Sequence, residues 1–393
     1  MTHPHAAIVA AASASLGADL SGPAGLASSN RSAVLRCATA SGGTVVVKAY
    51  LPDPDAADSF AAEASGLALA GPAGLGPSLL AADPAERVLV MTDLGDSPSL
   101  ADLLLDGTAE AARVALTEWA VTCGRLAVAT AGRAGELAGL RARYRAAGPA
   151  GAAEPAGAAG PAGAAGPGGA AGAGRDEPGE HWLARRVREA ADLPGLLGVA
   201  APSGLADDLA SVLAVTGPGE CEVFSPGDIC PDNNLLTPSG VRFIDFESAE
   251  FHQVYLDAAY LRMPFSTCWC VFRLPAEVAG AAEAAYRDLV AGVFPALADD
   301  ATWRAGVRRA AAAWTLHAMT YLLRPSLTAD ASMNPDRAPA PSARQLLRYR
   351  WQWLAGELDA GDDLPALAEL VRRLLRATEN WQAAPMPPYP AFG

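Results

Sequence analysis

Lysine is almost absent from this 393-residue chain, because Lys48 is the only lysine among 29 basic residues. Arginine serves well as a solvated surface charge, but it does not replace a compact ammonium in a tight site. The lysine ends the strand-like run at residues 44–48. It is therefore the first candidate functional residue, although the chance survival of one lysine explains the count equally well on its own.

Positive charge as a whole is scarce. The chain has 29 basic against 43 acidic residues and a formal net charge of −14. A general nucleic-acid binder needs basic patches, so that class of function is disfavoured. The acidity is compatible with a small cationic substrate, although it is also a common means of staying soluble.

Features that direct a chain to or across a membrane are also missing. The longest helical apolar stretch, residues 309–324, contains His317 and is too short to span a bilayer. Residues 6–16 lack the charged start of a signal peptide, since no lysine or arginine precedes Arg31. We therefore expect a soluble protein with no membrane partner.

The six cysteines do not form paired motifs with zinc spacing. We expect them to be buried free thiols, which indicates a reducing cytoplasm.

The order of secondary-structure patterns predicts the fold class. The first hundred residues read as strands at 31–36, 44–50 and 87–91, with one helix at 58–70. Later segments read mainly as helices, at 116–126, 181–193, 205–213, 275–293, 303–323, 342–358 and 364–381. A short strand at 221–224 and a hairpin over 234–244 interrupt them. This order predicts an α+β protein with a small antiparallel sheet followed by a mostly helical region.

Residues 146–176 differ from the rest of the chain in composition, because they are rich in glycine, alanine and proline. Glycines from Gly148 to Gly172 fall on a three-residue period, with Glu154 at the one missed position. The period is that of collagen, but the tract is short and interrupted. We expect a disordered low-complexity insertion rather than a triple helix, because this composition cannot bury a core.

Several polar residues that could take part in catalysis or bind a metal lie around the hairpin. Asp228 and Asn233 lie on the loop before it, and Asp245 ends its returning strand. Two carboxylates and an amide held this closely suit a hard cation and a hydroxyl nucleophile. A turn-rich hairpin whose Asp and Asn residues cap turns is the alternative.

The spacing Asp228-x-x-x-x-Asn233, followed by Ile244-Asp245-Phe246, resembles the catalytic and metal loops of the aminoglycoside phosphotransferase family. That family shares a protein-kinase-like fold with choline kinases and other small-molecule kinases. Further motifs match in order over roughly residues 25–262: the Ser28-Ser29-Asn30 turn, Val46-Val47-Lys48, Glu63, Met91-Thr92-Asp93-Leu94 and Tyr255-Leu256-Asp257.

The resemblance implies two lobes, with a nucleotide-binding lobe at 1–94 and a helical lobe at 95–393 that carries the catalytic and metal loops at 225–250. It implies ATP and Mg²⁺ as cofactors. The implied nucleotide-binding residues are Ser28, Ser29, Asn30, Lys48, Glu63, Thr92 and Leu94. Asn233 and Asp245 would hold the metal and Asp228 would act as the base. Asp257 would brace the catalytic loop.

The acidic residues Asp232, Glu247 and Glu250 could meet a cationic substrate, although a solvated acidic turn explains Glu247 and Glu250 equally well. We interpret His252 and His317 as structural.

The function implied by the resemblance is transfer of the ATP γ-phosphoryl group to a hydroxyl of a small molecule. An aminoglycoside-like antibiotic is the first candidate acceptor, and a sugar, an amino alcohol or another antibiotic is nearly as well supported. A pseudokinase that binds nucleotide and acts through interactions is the alternative. Its support is Pro226, which stands where the family usually has histidine. The joint presence of Lys48, Asp228, Asn233 and Asp245 argues against it.

Overall fold

The computed structural model describes residues 4–29, 31–146, 181–263, 265, 268–335, 337 and 340–393. The insertion predicted at 146–176 lies outside this part of the chain except for Ala146. Two compact units are present, and the first contains residues of 1–99, 129–146 and 224–251. The predicted lobes are continuous in sequence, whereas this unit takes in the segment 224–251 from far along the chain.

The first unit is built on a five-stranded antiparallel sheet. Its strands follow the spatial order β1-β2-β3-β5-β4. They are β1 (Leu20–Ser28), β2 (Ser32–Thr39), β3 (Thr44–Tyr50), β4 (Leu79–Asp83) and β5 (Val88–Thr92). Helix α1 (Pro4–Leu16) packs on one face of the sheet, where Ala12 joins a core with residues that include Val45 and Val47. Strand alternation places Val46 and Lys48 on the other face, which is therefore available to a ligand.

Helix α2 (Ala56–Ala70) lies close to the segment that follows Asp245. A Cβ atom added at Gly66 would lie 2.8 Å from the Cβ of Ala249 and 3.0 Å from that of Phe246. Glycine at this position therefore permits the close approach. Because Glu63 lies one turn before Gly66, the same approach brings Glu63 toward the metal loop.

A two-stranded hairpin carries the predicted catalytic segment of this unit. Strands β7 (Asn234–Thr237) and β8 (Gly240–Phe243) pair in antiparallel register, as the sequence predicts. The hairpin is anchored at both strands. The Leu236 amide donates to the Pro98 carbonyl at 2.8 Å, and the Phe243 amide donates to the Leu75 carbonyl at 2.9 Å. These bonds fix the position of the residues at its open end.

The second unit is mostly helical, so the predicted fold class is confirmed. Over the described residues the remaining elements of the chain are α3 (Leu100–Asp106), α4 (Ala109–Thr130), α5 (Ala134–Ala146), α6 (Trp182–Ala190), α7 (Leu205–Leu213), β6 (Glu222–Ser225), β9 (Glu250–Gln253), α8 (Val254–Arg262), α9 (Ala276–Ala291), α10 (Asp300–Thr328), α11 (Ala343–Asp359) and α12 (Pro365–Ala377). Among the helices that the structure describes, none has the length and apolar character needed to cross a membrane.

His252 and His317 of the second unit are both buried. His252 Nε2 lies 2.9 Å from Asp257 Oδ1, and both side chains are buried. Burial lowers the pKa of His317 to about 3, so its ring is neutral under ordinary conditions.

The expectation of free thiols is only partly met. Cys37, Cys123, Cys221 and Cys270 are free. Cys230 and Cys268 are disulfide-bonded, so the expectation is wrong for these two residues. Because disulfides are rare in a reducing cytoplasm, the cytoplasmic location predicted from the cysteines loses support and stays a prediction.

Candidate functional site

A cluster of carboxylates surrounds the single lysine. Lys48 Nζ lies 2.5 Å from Glu63 Oε2, 3.1 Å from Asp245 Oδ1 and 3.4 Å from Glu247 Oε2. All of these residues belong to the first compact unit, although strand β3, helix α2 and the segment after β8 supply them separately. The lysine thus links the sheet to the predicted metal loop.

Electrostatics keeps this lysine charged. Burial alone would lower the pKa of Lys48, but the carboxylates of Asp245 and Glu63 hold that pKa well above its usual value. Glu63 is fully buried, and burial raises its pKa to about 7 despite the attraction of Lys48. The pair therefore exists as a fixed ammonium beside a carboxyl that ionises near neutral pH.

Tyr50 is a further residue of the candidate site, and the sequence analysis missed it. Its hydroxyl donates a short hydrogen bond to Glu63 Oε2, the same oxygen that faces Lys48. The Lys48 ammonium lies 5.2 Å from the centroid of the Tyr50 ring. Tyr50 therefore orients both members of the ion pair. The sequence could have indicated Tyr50, because it stands two residues after Lys48 and alternation places both side chains on one face of β3.

The loop before the hairpin presents Asp228. Its Oδ1 accepts from the Cys230 amide at 3.3 Å, and its backbone carbonyl accepts from Asn233 Nδ2 at 3.2 Å. Burial raises the pKa of Asp228 to about 7, and the charges of Asp245 and Asp232 add to the rise. A carboxyl with this pKa suits a general base that works near neutral pH. A divalent cation beside Asp245 would lower the pKa again and favour the ionised form.

Asn233 and Asp245 lie at the open end of the hairpin, where the Ile244 amide donates to the Asn233 carbonyl at 3.2 Å. The Asn233 side chain donates through its nitrogen, which leaves the amide oxygen as its ligand atom. Asp245 Oδ1 accepts from Lys48 Nζ and from the Glu247 amide. Asp245 Oδ2 is therefore the oxygen that a cation would use. This amide and carboxylate set fits Mg²⁺, which prefers oxygen ligands.

A cavity of about 680 Å³ adjoins these residues and belongs wholly to the first unit. Its apolar wall includes Val34, Val46 and Met91, and its polar end includes Lys48 and Asp245. Its volume is in the range of pockets that bind nucleotide-sized ligands. Of the predicted site residues, the cavity is lined by Lys48, Thr92, Leu94, Asp232, Asn233 and Asp245. Among the predicted site residues that do not line it are Glu63, Asp228, Glu247 and Glu250.

The predicted phosphate loop is only partly placed. Ser28 belongs to β1, and Asn30 lies outside the described residues. Ser29 Oγ accepts from the backbone amides of Arg31 and Ser32 at 3.1 and 3.0 Å, and the Ser29 amide donates to the Ser32 carbonyl at 2.9 Å. The amides of these three residues are thus bonded within the turn rather than presented to a ligand.

The linker after β5 is fixed by Asp93, another residue that the sequence analysis did not assign. Its carboxylate accepts from Arg36 Nη2 at 3.1 Å, from Thr44 Oγ1 at 2.7 Å and from the Gly95 amide at 2.9 Å. Burial would raise the pKa of Asp93, but these bonds hold it below its usual value. The ionised carboxylate therefore ties the linker, with Thr92 and Leu94, to strands β2 and β3.

The Gly227→Ala substitution should disrupt the loop that carries Asp228. Gly227 has a φ of +86°, and an added Cβ would lie 2.1 Å from the Ser248 carbonyl oxygen. We expect the free energy of unfolding to fall by about 2–4 kcal/mol, because neither backbone can move without breaking the loop. Urea denaturation measures the change.

Gly135→Ala is the matched control, since an added Cβ at this helical position has no neighbour within 4 Å. It should be neutral or slightly stabilising. Equal stability of both variants would show that the close contact at Gly227 does not constrain the loop.

Comparisons with known proteins return small-molecule kinases. The chain is similar to a choline/ethanolamine kinase family protein from Mesorhizobium loti, at 14% identity and a TM-score of 0.46, over 90% of this chain and 93% of the other. It is similar to a macrolide 2'-phosphotransferase from Brachybacterium faecium, at 14% identity and a TM-score of 0.48, over 82% and 92%. It is also similar to a choline kinase from Streptococcus pneumoniae, at 12% identity and a TM-score of 0.46, over 91% and 100%.

No protein-family profile and no curated protein matches the sequence. These solved structures belong to the small-molecule kinase group that the sequence resemblance names. Identities and TM-scores this low assign neither a substrate nor an activity to this chain. The functional conclusion therefore rests on the geometry of the site.

Proposed function

We propose that this protein is a small-molecule kinase that transfers the γ-phosphoryl group of ATP to a substrate hydroxyl. The observation that carries the proposal is the convergence of one buried lysine and the residues of the catalytic hairpin on a single cavity. Lys48, Asn233 and Asp245 line the cavity, and the charge of Asp245 acts on Asp228. Phosphoryl transfer needs positioning and charge neutralisation, and these residue types supply both.

Each residue has a distinct role in the proposed reaction. The apolar wall receives the adenine, and Thr92 and Leu94 lie where the linker can meet its edge. Lys48 binds the phosphates, while Glu63 and Tyr50 hold its ammonium in place. Asp228 orients the acceptor hydroxyl and accepts its proton.

Asn233 and Asp245 would hold Mg²⁺, which neutralises the phosphate charge when it is bound. Asn233 also has a role of its own, because its side chain bonds to the Asp228 carbonyl and fixes the catalytic loop.

The proposed acceptor is a small hydroxyl compound, with an aminoglycoside-like antibiotic first. Asp232 lines the cavity, and the half-buried carboxylate of Glu247 faces Lys48. The net charge of −14 also favours cationic compounds over anionic ones. Antibiotic resistance would follow only if an antibiotic proves to be the acceptor.

Transfer of the labelled γ-phosphate tests the proposal. Purified protein is incubated with γ-labelled ATP and Mg²⁺ against aminoglycosides, macrolides, choline, ethanolamine and sugars. We expect labelled product with at least one of these classes, and much less product when the Lys48→Met variant is used. Binding of MgATP without transfer to any acceptor or to water would favour the pseudokinase. Failure to bind MgATP would contradict nucleotide binding altogether.

A further inference from the structure

The phosphate end of the site has little positive charge for its proposed ligand. The Lys48 ammonium is already shared among the carboxylates of Glu63, Asp245 and Glu247. The triphosphate of ATP adds more negative charge at the same place, and Mg²⁺ offsets only part of it. A second cation near Lys48 would lower this repulsion.

Backbone amides do not fill that need in the turn between β1 and β2. Kinase-like sites commonly hold phosphates with the amides of such a turn. Here the amides of Ser29, Arg31 and Ser32 donate within the turn itself. Among the amides of this turn that the structure describes, none is left for a phosphate, so a side chain is the better source of the charge.

Two arginines of the described residues lie at this end of the unit: Arg36 lines the cavity, and Arg31 pairs with a carboxylate that also faces Lys48. Arg36 lines the cavity but is held by two carboxylates, with Nε 2.6 Å from Asp93 Oδ2 and Nη1 2.8 Å from Asp96 Oδ1. Moving it would remove the cationic partner of Asp93 and loosen the linker. We therefore assign Arg36 a structural role rather than a role in phosphate binding.

Arg31 has a simpler attachment. Its Nη2 lies 2.7 Å from Glu247 Oε1, and its side chain is one-third exposed. The other oxygen of Glu247 lies 3.4 Å from Lys48 Nζ. One carboxylate thus separates the Arg31 guanidinium from the lysine at the phosphate end of the cavity, and that carboxylate keeps Lys48 as a partner if Arg31 leaves.

We propose that Arg31 is a second phosphate-binding residue, which leaves Glu247 and binds the terminal phosphates of the nucleotide. This inference rests on the proposed function, because it requires a nucleotide in the cavity. A guanidinium forms paired, charge-assisted hydrogen bonds with phosphate oxygens, and a phosphate group offers more charge than the carboxylate it replaces. Glu247 therefore holds Arg31 beside the site until the phosphates arrive.

Binding of nucleotides with different numbers of phosphates tests the proposal. Calorimetry on the full chain compares ATP, ADP and AMP for wild type, Arg31→Met and Arg31→Lys. We expect Arg31→Met to weaken ATP binding about tenfold, as loss of a charged hydrogen bond does. The loss should be smaller for ADP and absent for AMP. Arg31→Lys should recover part of the ATP affinity, since it keeps the charge without the planar fork.

Arg145→Met is the matched control. Arg145 pairs with Asp58 at 2.8 Å, and both side chains are at least half exposed. The variant removes one arginine charge from the same unit and should bind all three nucleotides as wild type does.

A double-mutant comparison separates direct phosphate binding from simple neutralisation of Glu247. If Arg31 only neutralised Glu247, Arg31→Met would have no effect in a Glu247→Gln background. We expect the double variant to bind ATP about tenfold more weakly than Glu247→Gln alone, measured without Mg²⁺. Equal affinity of these two variants would overturn the proposal.

The inference and the proposed function can fail separately. If wild type binds ATP and Lys48→Met does not, but Arg31→Met binds it normally, only the role of Arg31 is wrong. If wild type binds no ATP, the proposed function is wrong and the role of Arg31 is lost with it.

Discussion

The Asp228→Asn variant should bind MgATP like wild type, while phosphoryl transfer falls by about 10²–10⁴-fold. The carboxyl of Asp228 is positioned by the Cys230 amide, and its pKa of about 7 suits proton transfer. Asparagine preserves the shape and the loop bond through the backbone carbonyl to Asn233. It cannot accept the proton of the acceptor hydroxyl. Turnover and ATP titration, measured on the same preparation, check the two expectations.

Asp245→Asn is the informative partner of that variant, because it should fail in a different way. It removes a formal charge from the predicted metal ligands and one of the carboxylates that face Lys48. Magnesium-dependent ATP binding should weaken, since Mg²⁺ prefers charged oxygen ligands. ATP titrations with and without Mg²⁺ separate the variants. If both bound MgATP equally well, or if Asp228→Asn kept full turnover, these assigned roles would be wrong.

Lys48→Arg should lose about 100-fold in turnover, as misplacement of a phosphate-binding group by about 1 Å can do. The buried ammonium lies within 3.4 Å of three carboxylate oxygens and beside the Tyr50 ring. A planar guanidinium is longer and larger, so it cannot occupy this space without displacing its neighbours. The charge of the site is unchanged by the substitution. The loss therefore tests the need for a compact ammonium.

Lys48→Met is the control for charge, and a thermal melt of both variants is the control for folding. Lys48→Met should raise the KM for ATP or lower kcat without broad unfolding. Near wild-type turnover in Lys48→Arg would show that the site does not need a compact ammonium, and the argument from the single lysine would be wrong. Unfolding of both variants would instead show that the ion pair with Glu63 holds the unit together.

Local sequence patterns predicted several of the elements that carry the candidate site. The strand at Thr44–Tyr50 and the helix at Leu205–Leu213 match their predicted bounds to the residue. The order of Asp228, Asn233 and Asp245 around the hairpin also follows from sequence, because a short hairpin brings its two ends together. Such features depend on residues close in the chain, so a single sequence contains the information.

Strand β1 was missed because its residues have weak strand propensity. Leu20–Ser28 contains two glycines and a proline, and its register with β2 shifts in two places. It forms because β2 offers an edge on which to pair, and proline and bulges are tolerated on an edge strand. Tertiary context rather than local sequence therefore decides this element.

The long-range ion pairs could not be predicted from the sequence for a similar reason. Arg31 and Glu247 are 216 positions apart, and Lys48 and Asp245 are 197 apart. No periodicity or spacing links residues at such separations. The motif resemblance suggested that Lys48 and Asp245 serve one site, but it gave no reason to connect Arg31 with Glu247.

Because Lys48 is buried, the rate at which its nitrogen reacts can report how often the site opens. It is the only ε-amine in the chain, and neighbouring carboxylates keep it protonated and therefore unreactive toward acylating reagents. Acylation at this position requires a local opening that exposes the nitrogen and lowers its pKa. The rate at which Lys48 is acylated, read by mass spectrometry apart from the N-terminal amine, then reports how often the site opens. A bound ligand that closes the cavity should slow that rate, so one residue would register occupancy without an engineered probe.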